Sequence, residues 1–98
     1  MRRRYLVTYD VSDAKRLRKV FRSMHGFGNA VQYSVFLCDL STTERQLLRE
    51  KLTAILNLRE DRALIVDLGE VGAVNGAAFD VMGRQFDAMP DEFRATIL

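Results

Sequence analysis

The sequence predicts an α+β domain in which a mostly antiparallel sheet carries two helices on one face. Three observations predict it. Short apolar runs rich in β-branched and aromatic residues alternate with two amphipathic stretches of helical period. Their order along the chain is strand, helix, strand, helix, strand. The 98 residues suffice for one core, and no composition break marks a second.

The first run covers residues 4–10. Tyr5, Val7 and Tyr9 point one way and Leu6, Thr8 and Asp10 the other, and neither set is wholly polar. That pattern predicts a central strand covered on both sides. Asp10 ends it, and Ser12 is the expected N-cap of a helix over residues 13–25. Ala14, Leu17, Val20, Phe21 and Met24 recur at helical steps to form its apolar face, and Gly26 is the expected stop. Residues 29–39 alternate as a strand but are long for one. A bend near Tyr33-Ser34 would make two, and periodicity leaves that open.

Residues 42–58 give the clearest helix. Ser41-Thr42-Thr43-Glu44 spells a capping box, and Leu47, Leu48, Leu52, Ile55 and Leu56 make the apolar face. Residues 62–68 predict another buried strand ending at Gly69. Beyond it, Phe79–Met82 predicts a short strand, and the tail at 94–98 a last one if a partner is there to pair with it. The domain is expected to span residues 1–83, with 84–98 an extension at a dimer interface. Two helices on one face of such a sheet make a ferredoxin-like arrangement, which fixes no function by itself.

Charge is informative through its distribution. The net charge is only +2. Residues 1–22, however, hold eight cations against Asp10 and Asp13, a balance of +6. Residues 59–98 hold four arginines against eight acids, a balance of −4. A basic first third suggests an anionic partner, nucleic acid first, with a solvated helix face as the bland alternative. The lone Cys38 excludes an internal disulfide and fits a reducing, cytoplasmic setting. No apolar run is long enough to span a membrane.

Asp10 is the leading candidate for chemistry. A carboxylate at a strand end is a suitable oxygen ligand for Mg²⁺. Turn or capping duty is the alternative, and spacing leaves both open. One carboxylate per chain makes a poor metal site, but a two-fold dimer would bring two copies of Asp10 to one ion. Metal bound there would activate water and neutralise charge on a phosphodiester. Arg16 and Arg18 are candidate phosphate ligands, with Lys19 and Arg22 on the same basic helix. Asp13 reads as a helix-dipole residue, His25 as structural, and Cys38 as a small buried residue. There is no P-loop, dinucleotide fingerprint or zinc spacing.

Tyr9-Asp10-Val11-Ser12-Asp13, with the basic run Lys15-Arg16-Leu17-Arg18-Lys19-Val20, resembles CRISPR-associated protein two. So does Gly28-Asn29-Ala30-Val31-Gln32-Tyr33-Ser34-Val35-Phe36-Leu37-Cys38. The similarity runs from residue 5 to about residue 69. It implies a ferredoxin-like homodimer whose C-terminal strand extends the partner's sheet. It implies a CRISPR adaptation protein: a Mg²⁺-dependent endonuclease acting on single-stranded RNA or double-stranded DNA, with one ion shared between subunits. It makes Asp10 the catalytic and metal-binding residue and links Tyr9, Arg16, Arg18, Ser34 and Phe36 to the site or to nucleic acid. It further implies partnership with the spacer-acquisition integrase, CRISPR-associated protein one. In that case the chain also holds DNA as a hub, with or without cleavage. The chain departs from common members in having Ala30, Leu37 and Leu17 where an arginine, an acid and an arginine are frequent. A generic ferredoxin-like RNA-binding module is a separate alternative. Tyr5 and Tyr9 are compatible with it, but Ala63–Leu68 lacks an aromatic.

Overall fold

β-Branched and aromatic residues place Arg3–Asp10 (β1) at the middle of a sheet in the computed structural model, which describes residues 1–72 and 82–84. The other elements follow as α1 (Ala14–Met24), β2 (Asn29–Gln32), β3 (Val35–Leu40), α2 (Thr42–Ile55) and β4 (Arg62–Glu70). Strand order is β2-β3-β1-β4, and each neighbouring pair is antiparallel. This is the expected ferredoxin-like α+β arrangement. The bend is real: β2 and β3 separate at Tyr33-Ser34. The strands expected over Phe79–Met82 and at 94–98, and the extension from residue 84, fall outside the described residues apart from Met82 and Arg84.

Both helices cover the sheet face that carries Tyr5, Val7 and Tyr9. Val20 and Met24 of α1 and Leu48 and Leu52 of α2 are buried there, with Phe36 and Cys38 from β3. The capping box of α2 forms as expected: Ser41 Oγ accepts from Glu44 N at 3.1 Å, and Glu44 Oε1 accepts from Ser41 N at 2.8 Å. Gly28, just before β2, sits where no side chain fits. A Cβ there would collide with the Leu37 carbonyl oxygen and the Cys38 sulfur.

Several local expectations are corrected. Asp13, not Ser12, caps α1; its carboxylate accepts from Arg16 N at 2.9 Å. Ser12 instead donates its N–H and hydroxyl to Asp61. Ala14 is exposed, since the first helical turn projects beyond the sheet. Leu47 is 52% exposed, because it lies about 100° round the helix from the buried Leu48. Helix α2 ends at Ile55 rather than 58.

β4 is not the buried strand expected. Among the described residues it is an edge strand paired only to β1. Leu64 and Val66, opposite Thr8 and Leu6, are 54% and 43% exposed. A register shift near Arg4/Tyr5 leaves Leu68 without a direct partner, and Gly69 takes φ +111°, open chiefly to glycine. The strand therefore passes Gly69 and runs on to Glu70. The helix-free face gathers Leu6, Val31, Leu37 and Leu68 with Leu64 and Val66 beside them. It is an apolar surface that neither helix covers.

Candidate active site

The alternation of β1 puts Asp10 on the helix-free face with Leu6 and Thr8, at the end of the central strand. Its cross-strand neighbour is Arg62, the first residue of β4. The side chain is exposed, and among the described residues no hydrogen bond or ion pair claims its carboxylate. A free carboxylate fits a hard cation. One protomer supplies no more than that, since no cluster of three potential ligands occurs among the described residues.

Tyr9 faces the other way. It is buried, and its hydroxyl donates to the Tyr33 carbonyl at 2.5 Å while its N–H donates to the Ser34 carbonyl at 3.1 Å. Burial pushes its phenol well above the usual range. Phe36 is fully buried and lies 6.3 Å from the Tyr9 ring and 5.6 Å from Phe21. Neither Tyr9 nor Phe36 presents a surface to nucleic acid; both shape the site from beneath. Ser34 is half-buried, and its backbone ties the β2–β3 turn to the strand end that carries Asp10. Tyr5 is buried too, so among the described residues the paired strand aromatics that an RNA-reading sheet needs are absent from the open face.

Arg16 is occupied. Its Nε donates to Asp61 Oδ2 at 2.8 Å, and its Nη2 reaches Asp61 Oδ1 and Glu60 Oε1, both at 3.2 Å. Asp61 also accepts backbone N–H groups from Ser12 at 3.0 Å and Asn57 at 2.9 Å. The Arg16 guanidinium, with help from these N–H groups, holds the Asp61 carboxyl well below the usual range. The phosphate ligand expected at Arg16 is thus a clamp fixing the Asp10–α1 loop to the start of β4. Sequence reading passed over Asp61. The available signal was topological: an antiparallel β4 entering beside the end of β1 brings Glu60-Asp61 next to Val11-Ser12.

The basic first third divides. Arg2 pairs with Glu44 at 2.8 Å, Arg3 with Asp67 at 2.8 Å, and Arg4 with Asp39 at 2.6 Å. With Arg16, half of the eight cations are engaged by acids. Lys15, Arg18, Lys19 and Arg22 are exposed on α1, and among the described residues no acid pairs with them. Cys38 is no nucleophile, because burial pushes its thiol up to about 12.

The profile of the family described as CRISPR associated protein Cas2 matches residues 1–73. The chain belongs to this family. It is 38% identical over 87 residues to CRISPR-associated endoribonuclease Cas2 1 of Rhodospirillum rubrum, covering 83% of this chain and 85% of the relative. It is 37% identical over 83 residues to CRISPR-associated endoribonuclease Cas2 of Geobacter sulfurreducens, covering 85% and 86%. The crystal structure of Streptococcus pyogenes Cas2 at pH 6.5 superposes with a TM-score of 0.72 at 30% identity, covering 82% of this chain and 99% of that one. Family and fold agree with the resemblance read from the YD-x-S-D and VQ-x-S-V-F blocks. No helix among the described residues is long and apolar enough to cross a membrane.

Proposed function

We propose that the chain is a homodimeric, Mg²⁺-dependent endonuclease of CRISPR adaptation, cytoplasmic, hydrolysing phosphodiesters in RNA or duplex DNA. The observation that carries this reading is the placement of Asp10. It is exposed, unpaired among the described residues, and on the same face as the uncovered apolar patch. A two-fold partner seated on that patch covers Leu64 and Val66 and turns both Asp10 carboxylates toward one axis. Two carboxylates then hold one ion, as Mg²⁺ sites commonly need. The ion, when bound, supplies an activated water and charge neutralisation at the phosphate. The chain's own residues position the pair: Tyr9 and Phe36 pack beneath the strand end, and the Arg16–Asp61 clamp fixes the loop after it. The extension from residue 84 belongs, on this reading, to the dimer interface.

A second reading is supported by the four exposed cations of α1. They give the dimer two basic helix faces, suited to holding a DNA duplex while it binds the integrase, CRISPR-associated protein one. Cleavage is not required for that role, and the two are compatible.

The test is cleavage of single-stranded RNA and of duplex DNA, with Mg²⁺ and with chelator, by wild type and Asp10→Ala. Metal-dependent cleavage lost in a folded Asp10→Ala protein supports the nuclease reading. Cleavage that persists in highly purified Asp10→Ala removes it. Spacer acquisition that survives Asp10→Ala favours the hub.

A further inference from the structure

Among the described residues, one exposed tyrosine ring remains without a role. Tyr33 sits at the β2–β3 turn with 42% of its surface open. One face of its ring lies on Phe21, with centroids 4.3 Å apart and planes 4° from parallel. The buried Phe36 meets Phe21 edge-on from below at 5.6 Å, and the exposed His25 meets it edge-on at 4.7 Å. The stack thus rises from a fully buried ring, through a half-buried one, to an exposed one. Such a ring is held flat by its supports.

The backbone fixes the position of this ring relative to the candidate active site. The Tyr33 carbonyl accepts from the Tyr9 hydroxyl and the Ser34 carbonyl from the Tyr9 N–H, and Tyr9 directly precedes Asp10. Phe21 belongs to α1, so Tyr33 lies on the helix side and stays open when the helix-free face is covered. Arg18, three residues before Phe21, shares its flank of the helix, whereas Arg22 lines the groove between α1 and α2. Both are exposed cations. A flat, supported π-face beside an exposed cation matches the combination by which proteins hold single-stranded nucleic acid: base stacking with phosphate neutralisation.

We propose that the outer face of Tyr33 is a stacking platform for an unpaired nucleobase, with Arg18 taking the adjoining phosphate. It rests on the nucleic-acid reading above and adds to it a preference for a splayed, single-stranded base at the β2–β3 turn. The sequence contains no tryptophan, so Tyr33→Trp introduces a single indole reporter at the platform.

The experiment titrates full-length protein, without metal, with oligothymidylate and with an abasic oligonucleotide of the same length. Tyr33→Leu is expected to bind oligothymidylate about tenfold more weakly, with abasic binding unchanged and Tyr33→Phe like wild type. Tyr33→Trp fluorescence is expected to quench with oligothymidylate and not with the abasic strand. Equal loss on both strands by Tyr33→Leu marks a misfolded variant, and the indole signal then decides. Wild-type affinity in Tyr33→Leu, or an indole signal indifferent to bases, overturns the platform while leaving the nucleic-acid reading intact. Failure of wild type to bind either strand overturns both.

Discussion

The eight cations of residues 1–22 form two groups that a charge count cannot distinguish. Arg2, Arg3, Arg4 and Arg16 each meet an acid from a distant part of the chain. Lys15, Arg18, Lys19 and Arg22 project from α1 into solvent. The first group ties elements together; the second is left to meet an outside anion. A paired arginine offers little to phosphate without first losing its partner, whereas an exposed cation releases counterions on binding at small structural cost. Net basicity therefore counts twice the cations that remain open to an outside anion, and position within the fold decides which those are.

The largest expected effect separates the groups by binding. Replacing Arg18, Lys19 and Arg22 together by Ala should reduce the salt slope of duplex binding by about 2.7, at roughly 0.9 per phosphate contact. Thermal stability should stay within about 0.5 kcal/mol of wild type. An unchanged slope would show that α1 is not the nucleic-acid face. Asp39→Ala should do the reverse. It removes the carboxylate that Arg4, only 8% exposed at its side chain, meets at 2.6 Å. A stability loss of about 2 kcal/mol is expected in denaturant unfolding, moderated by the partial exposure of Asp39, with the salt slope untouched.

A subtler contrast concerns pH. Arg16 holds the Asp61 carboxyl below its ordinary value of 3.8, so the charged clamp stabilises the fold fully above that value. Its contribution is lost as pH falls below 3.8 toward the depressed native value. Asp61→Asn should therefore show a shallower acid limb in stability-against-pH measurements, while Arg18→Ala leaves that limb unchanged. An acid limb identical in Asp61→Asn and wild type would mean the clamp carries no pH-dependent stability.

What the sequence disclosed depended on range. The capping box at Ser41 and Glu44 is local and was legible, whereas the break at Tyr33-Ser34 was located but left open by periodicity. The central β1, whose two alternate sets are each partly apolar, was legible as well. Ser12 and Asp13 were confused because either side chain can cap, and the choice fell to Asp61, which lies far along the chain. The exposure of β4 was illegible for a different reason. Leu64 and Val66 are apolar as if buried, yet nothing among the described residues covers them. An apolar residue left open in this way points to a partner, and the double substitution Leu64→Asp, Val66→Asp should leave a monomer in light scattering. A dimer surviving that change would place the interface elsewhere. The position of Asp10 at the exposed end of β1 was legible from the strand pattern. Tyr33 was hidden because its exposure depends on which face of the β2–β3 turn it takes.

On the proposed reading, catalysis needs an Asp10 from each of two subunits. Mixing wild type with Asp10→Ala in equal amounts, after subunit exchange, tests it most directly. Metal-dependent cleavage should fall to about a quarter of that of the same total wild-type protein, because only dimers with two intact carboxylates act. Retention of about half would mean each subunit works alone and would contradict the shared site.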